Sequence, residues 1–232
     1  MSEIIDCQLE QAGYQKLSAP LPACAYDVLD EVLDSVVQEN FRRRRNGTRY
    51  AIRNAHLAVP ALRPLLEHGA LVELARGVLG QTVALVSATL FDKQPGANWF
   101  VPPHQDLFVP ISGTTDDLRW TNWSIKAGVQ YVEPPVEVQR ELLAVRLHLD
   151  ACPGVNGALE VVPGSHRERL DEDAVAEFAE KAFEVCPAGP GEVLLMRPLL
   201  VHRSRAAKLP ERRRVLHVVY SAAVLPKGLE WT

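Results

Sequence analysis

The stretch TVALVSATLF, residues 82–91, decides how this chain folds. It is β-branched and apolar throughout, as a buried strand should be. Further strand candidates follow at residues 142–150, 158–162, 192–196 and 215–224. Turn signals separate many of them: Pro95-Gly96, Pro153-Gly154, Asn156-Gly157, Pro163-Gly164 and Gly189-Pro190-Gly191. Short strands punctuated by turns predict a β-sandwich or barrel.

Upstream of residue 82 the pattern is helical. Over residues 26–37 the apolar Val28, Leu29, Val32, Leu33 and Val36 recur at helical spacing. A second helical stretch covers 64–79, with Gly80 as its stop. One later helix, 171–184, sets Ala174, Val175, Phe178 and Ala182 on one face. The expectation is a single domain over residues 1–232, mainly β with flanking helices. Its helical flank takes residues 1–80 and its β core residues 81–225.

Composition narrows the classes of function. Hydrophobic residues make up 47% and charged residues 23%, ordinary values for a globular protein, so global disorder is excluded. The net charge of −4 offers no basic excess for nucleic acid or an anionic membrane surface. No apolar run approaches the roughly 18 residues of a membrane span. The opening MSEIIDCQLE is acidic where a signal peptide is basic. Cys7, Cys24, Cys152 and Cys186 form no CxxC pair, which argues against a zinc knuckle or disulfide scaffold. A reduced, cytoplasmic setting and a small-molecule partner are expected.

The strongest local feature is Pro102-Pro103-His104-Gln105-Asp106. On a strand, side chains at i and i+2 point the same way, so His104 and Asp106 can converge on one point. The best candidate for a third ligand is His202, at the end of the apolar Leu199-Leu200-Val201. Two imidazoles and one carboxylate form a facial triad, typical of non-haem iron(II) oxygenases. A chelating cosubstrate and dioxygen would fill the positions left open. The bland alternative for the pair is a hydrogen-bonded His–Asp at a strand end. Of the other histidines, His56, His68 and His217 read as surface or packing residues. His148 could face the pocket, and His166 reads as a turn-stabilising group.

A dicarboxylate cosubstrate held at one end needs a cation for the other. Glu211-Arg212-Arg213-Arg214 opens the last apolar strand, and one of its arginines can project inward. The run RRRR at 42–45 reads as an exposed charged segment, or as a lid or anchor for an acidic substrate.

LFDKQPGANW, VPPHQD, NGALEVVPGSHR, VHRS and RRRVLHVVYS follow one another in order. Together, over about residues 50–223, they resemble the phytanoyl-CoA dioxygenase family of iron(II)/2-oxoglutarate oxygenases. The resemblance implies a double-stranded β-helix, the jelly-roll or cupin-like fold. It implies an iron(II) centre held by His104, Asp106 and His202, with 2-oxoglutarate and O2 as cosubstrates. It implies hydroxylation of a small organic molecule with release of succinate and CO2. The cosubstrate's far carboxylate would pair with Arg213, eleven residues after His202, or with Arg214 if the register shifts by one. Ser204, Arg146, Thr89 and Lys93 would contribute to the same pocket. Pro103 stands where relatives often carry an aromatic residue. Retention of Asp106 argues against halogenation. The alternatives are a cupin-like metalloenzyme that does not use 2-oxoglutarate and a non-catalytic binding protein. Trp99, Trp120 and Trp123 either line an apolar pocket or anchor the core and loops.

Overall fold

The computed structural model describes residues 2–18, 20–35, 42–43, 47–178 and 183–232. The chain opens with α1 (Ser2–Ala12), β1 (Tyr14–Leu17), α2 (Ala23–Asp34), β2 (Arg42–Arg43) and β3 (Arg49–Ile52). The helices α3 (Ala55–Ala58), α4 (Leu62–His68) and α5 (Ala70–Leu79) come next. The decisive stretch is β4 (Ala84–Lys93), followed by β5 (Val101–His104), β6 (Val109–Gly113), β7 (Thr121–Lys126) and β8 (Val129–Glu133). After α6 (Val136–Arg140) come β9 (Leu142–His148), β10 (Leu159–Val161), α7 (Glu172–Glu177) and β11 (Glu184–Cys186). The chain ends with β12 (Val193–Met196), β13 (His202–Ser204), β14 (Arg213–Ser221) and β15 (Leu229–Trp231).

Seven strands form the large sheet in the order β1-β12-β9-β14-β4-β3-β2. Two smaller sheets, β11-β10-β13-β5 and β15-β6-β8-β7, have four strands each. Every pairing is antiparallel. This is a mainly β, jelly-roll architecture with flanking helices. β1 and β3, from the first eighty residues, enter the large sheet, so that segment is not only a helical flank.

Side-chain alternation gives the large sheet two working faces. Leu143, Val145, Leu147, Leu216, Val218 and Tyr220 pack outward against Leu29, Leu33, Leu62, Leu66 and Leu71 of the helices. Ala144, Leu194, Met196 and Val219 face inward against Val109, Ile111, Val132, Leu159 and Val161 of the smaller sheets. Both faces are covered, which is why β4, β9, β12 and β14 read as near-continuous apolar runs. Tyr220 is fully buried, and its hydroxyl donates to Leu66 O at 2.8 Å, tying α4 to the sheet.

Two helical expectations are revised. The stretch 64–79 is two helices, broken at Gly69, whose backbone is extended (φ −94°, ψ −169°). The predicted helix 171–184 keeps its start, where the Asp171 carboxylate accepts from Ala174 N at 2.8 Å. It runs only over Glu172–Glu177, and Glu184–Cys186 is strand β11. Residues 179–182, with Ala182, lie outside the described residues, as do residues 36–37 of the first predicted helix.

The three consecutive arginines divide between the faces. Arg212 pairs with buried Asp92 on the outer side, at 3.1 and 3.3 Å. Arg214 binds Asp150 from α-nitrogen and guanidinium alike, at 2.7–2.9 Å. It also reaches Asp30 at 2.7 Å and Asp34 at 2.8 Å, both on α2. Arg213, between them, points inward.

Removing the buried member of such a cluster leaves Asp150 and Asp30 without their cation, and Asp34 with only Arg212 at 3.9 Å. Arg214→Met is expected to lose about 3 kcal/mol in urea unfolding. Arg119→Met, which breaks the exposed pair with Asp117, should leave stability essentially unchanged. Equal losses would contradict the anchoring role of Arg214.

Candidate metal centre and its cavity

The two histidines meet because β5 and β13 are neighbours, with His104 directly opposite His202. Their ring centroids are 4.2 Å apart. His104 Nδ1 lies 2.8 Å from Pro102 O, and His202 Nδ1 lies 2.8 Å from Leu200 O. A carbonyl can only accept, so each Nδ1 carries the proton and each Nε2 presents a lone pair. Asp106 is held by its own N–H, which donates to Pro198 O at 2.9 Å. Its Oδ1 is 3.7 Å from His104 Nε2 and its Oδ2 is 3.6 Å from His202 Nε2. One ligand atom from each of the three residues lies within 4.8 Å of the others. Gln105, between them, turns the other way. Its amide donates to Leu199 O and Glu168 O and accepts from Leu170 N, pinning the segment from behind.

Burial alone would raise Asp106, but His202, His104, His217 and Arg146 outweigh it and hold the carboxyl at about 2. Burial, reinforced by His104, lowers His202 to about 4. At neutral pH the cluster therefore offers the neutral His202 imidazole beside an ionised carboxylate, with His104 opposite. That donor set fits a divalent first-row ion such as iron(II).

The cluster opens into a cavity of about 530 Å³ whose walls include every residue proposed from the sequence: Thr89, Lys93, Arg146, Ser204 and Arg213 beside the triad. The inward face of the large sheet builds its floor. His217 is in register with Thr89 on β4 and with Arg146 on β9. One rung set further along, Arg213 is opposite Lys93. Lys93 Nζ donates to Trp99 O at 3.1 Å and Ser204 Oγ at 3.0 Å. The Ser204 hydroxyl in turn donates to Gly157 O at 3.1 Å. Arg213 Nη1 donates to the same carbonyl and to Cys152 Sγ. Gly157 is required at this turn: its φ is +69°, and a Cβ there would stand 2.5 Å from Arg205 O. The other edge of the Arg213 guanidinium has no acceptor among the described residues. Arg214 is committed to the outer face, whereas Arg213 lines the cavity.

His217 is a correction. Expected at the surface or in packing, it is buried in the cavity wall, 4.0 Å from Asp106 Oδ2. Arg146 Nη1 lies 2.9 Å from His217 Nδ1. A guanidinium can only donate, so the His217 proton sits on Nε2, facing Asp106. Alternation from Arg213 through Val215 to His217 is the signal that would have found it. Burial is the main cause that takes His217 down to about 3.

The remaining histidines stay out of the cavity. His148 is buried but contacts Glu192 O at 3.3 Å instead of lining the pocket. His56 is a packing residue, accepting from Ala88 N at 3.2 Å, and His68 is exposed. At the turn assigned to His166, the stabilising group is Ser165, which donates to Val162 O and accepts from Val201 N. Trp99 lines the cavity, Trp120 is core, and Trp123 is exposed with its Nε1 on Trp120 O at 3.0 Å. Of the run at 42–45, the backbone of Arg42 and Arg43 pairs with β3, while Arg44 and Arg45 lie outside the described residues.

A jelly-roll core with two imidazoles and a carboxylate converging in its cavity defines a cupin-like protein with a facial-triad donor set. The chain belongs to the phytanoyl-CoA dioxygenase (PhyH) family, whose model matches residues 9–215. It is 28% identical over 112 residues to dioxygenase lolE1 of Epichloe uncinata, covering 45% of this chain and 44% of that protein. The chain thus spans less than half the length of this curated relative. Among solved structures, AviO1 from Streptomyces viridochromogenes Tue57 superposes with a TM-score of 0.70 at 20% identity, covering 98% of each chain. EctD from S. alaskensis, solved with 2-oxoglutarate and 5-hydroxyectoine, gives 0.72 at 21% identity, over 96% of this chain and 76% of that one. SnoN, a non-heme alpha ketoglutarate dependent epimerase from nogalamycin biosynthesis, gives 0.68–0.69 at 19–20% identity over 94–95% of this chain and 81–83% of its own. At these identities the likeness establishes the fold. No helix among the described residues is long and apolar enough to cross a membrane.

The buried histidines make acid stability predictable. His148, His202 and His217 sit well below the ordinary 6.5, mainly through burial. Between that value and about 4 the unfolded chain binds protons that the folded chain does not, so stability falls as pH falls through the window. The slope is about 1.4 kcal/mol per pH unit for each histidine fully engaged. Urea unfolding of metal-free protein at graded pH checks this. Stability that stays level or rises on acidification would contradict it.

Proposed function

We propose that this protein is a non-haem iron(II)- and 2-oxoglutarate-dependent dioxygenase that hydroxylates a small organic molecule, releasing succinate and CO2. The observation that carries the reading is one cavity holding both the two-histidine, one-carboxylate cluster and a buried arginine with a vacant guanidinium edge. Family membership and the presence of Fe3+ and alpha ketoglutarate in a solved structure of SnoN support it.

His104, Asp106 and His202 would hold the ion. When bound, iron(II) supplies activation of O2 coupled to decarboxylation of the cosubstrate. The chain's own task is positioning and water exclusion. Arg213 offers two parallel N–H bonds to the far carboxylate of 2-oxoglutarate, a geometry that suits a guanidinium fork. The Lys93–Ser204–Gly157 network fixes where that fork stands. Phe91, Val215 and Val219 provide apolar wall between the cations. A metalloenzyme that used no dicarboxylate would have no evident use for Arg213 there, because a buried cation is costly without a partner.

Succinate release from 2-oxoglutarate, in the presence of iron(II) and O2, tests the reading. His104→Ala and Asp106→Ala are expected to reduce it to background. Arg213→Met should raise the 2-oxoglutarate requirement by about 10- to 100-fold, the loss of charge-assisted hydrogen bonds. Arg214→Met should leave that requirement within about twofold, because its bonds lie on the other face. Full turnover in either ligand variant rejects the triad. Oxygen uptake that 2-oxoglutarate does not stimulate favours a cupin-like enzyme without this cosubstrate.

A further inference from the structure

The cavity has a second cationic position, away from the cosubstrate end. Most cations in its wall are engaged by the protein. Lys93 donates to Trp99 O and Ser204, Arg146 to His217, and Arg203 to Glu160 at 2.7 Å. Arg213 is half engaged, as described above. Arg53 differs: it lines the cavity, is exposed to it, and makes no hydrogen bond or ion pair with any described residue.

The backbone that carries Arg53 is fixed. It follows β3 directly, and the next residue, Asn54, is buried in a left-handed conformation (φ 50°, ψ 48°). The Tyr131 hydroxyl, from β8, donates to Asn54 Oδ1 at 3.0 Å and clamps this turn. A left-handed non-glycine residue costs free energy and persists only where its surroundings hold it. Register gives the location. β3 pairs with β4 at Ala51↔Phe91 and Ile52↔Leu90, so the next step sets Arg53 level with Thr89. That is the rung of His217 and Arg146, four residues along the sheet from the Arg213–Lys93 rung. Four residues of strand are about 13 Å, too far for both arginines to grip one small carboxylate. The wall of the same cavity is partly aromatic, with Phe91, Phe100, Phe108 and Tyr131 in its lining, Phe100 and Phe108 substantially exposed, and Lys126 Nζ over the Phe108 and Tyr131 rings at 4.9 and 5.4 Å. Exposed rings grouped on a concave wall mark a surface that a ligand covers.

We propose that Arg53 is the specificity-determining cation for the primary substrate, and that this substrate is a carboxylate carried on a flat, apolar, aromatic body. A carboxylate fits better than a phosphate because a single guanidinium fork matches it two-for-two. A phosphate dianion would call for a second exposed cation beside Arg53, and the other cation on this rung, Arg146, is turned to His217 Nδ1 with its Nε buried away from solvent. The assignment rests on the oxygenase reading for its link to turnover, but its binding test does not.

Calorimetric titration of anaerobic, iron(II)- and 2-oxoglutarate-loaded protein with 2-naphthylacetate and 2-naphthylacetamide tests it. The carboxylate should bind at least about tenfold tighter than the amide. Arg53→Gln should bring the two within about twofold while leaving 2-oxoglutarate affinity unchanged. Repeating the pair in Arg213→Met protein without cosubstrate should preserve the preference. Its loss there would mean that the anion sits at Arg213, and would overturn the proposal. So would equal binding in the unmodified protein, a preference that survives Arg53→Gln, or no binding of either probe at millimolar concentration. Failure of the loaded protein to bind 2-oxoglutarate would instead overturn the oxygenase reading, with the Arg53 preference still measured in the cosubstrate-free arm.

Discussion

Alternation along β14 is the constraint from which the cavity follows. A strand places successive side chains on opposite faces, so one residue of slip would exchange every inward group for an outward one. Here the outward set is Arg212, Arg214, Leu216, Val218 and Tyr220, and the inward set is Arg213, Val215, His217 and Val219. Both chemistry and packing oppose a slip. Arg212 is tied to Asp92, Arg214 to three carboxylates, and Tyr220 to Leu66 O. Together with the buried Leu216 and Val218, these outer contacts fix the register of β14 as a whole.

The cluster itself depends on a second pairing, that of β5 with β13. Cross-strand opposition brings the two imidazoles together, and backbone carbonyls settle which nitrogen each presents. The fold favours the ionised form of Asp106 and the neutral form of buried His202, and it leaves one edge of the Arg213 guanidinium without an acceptor among the described residues. The two anion positions proposed for this cavity lie apart, one at the Arg213–Lys93 rung and one at the Arg53 turn.

Much of this was legible in the sequence, and the gaps have physical reasons. β4, β9, β12 and β14 were readable because both faces are buried. β5, β7, β11 and β13 are short, of three to six residues, and carry polar side chains toward the cavity or solvent, so no hydrophobic period marks them. β1 lies outside the β-rich region and joins the sheet by pairing with β12, a contact between residues far apart in sequence. The split of the helix at Gly69 depends on backbone angles that a lone glycine does not announce. Motif order marks the pocket residues, whereas the apolar run around His217 carries the same pattern as a packing histidine. Arg53 had no motif at all. Its place is set by a tertiary clamp from Tyr131.

The central claim is that three specific atoms, His104 Nε2, His202 Nε2 and an Asp106 carboxylate oxygen, share one metal ion. Anomalous diffraction from crystals grown anaerobically with manganese(II) and 2-oxoglutarate measures this directly. The account predicts a single strong peak at about 2.0–2.3 Å from all three atoms, with both Nδ1 atoms still on their carbonyls. A peak elsewhere, or one bound through Nδ1 with the rings reversed, would contradict it.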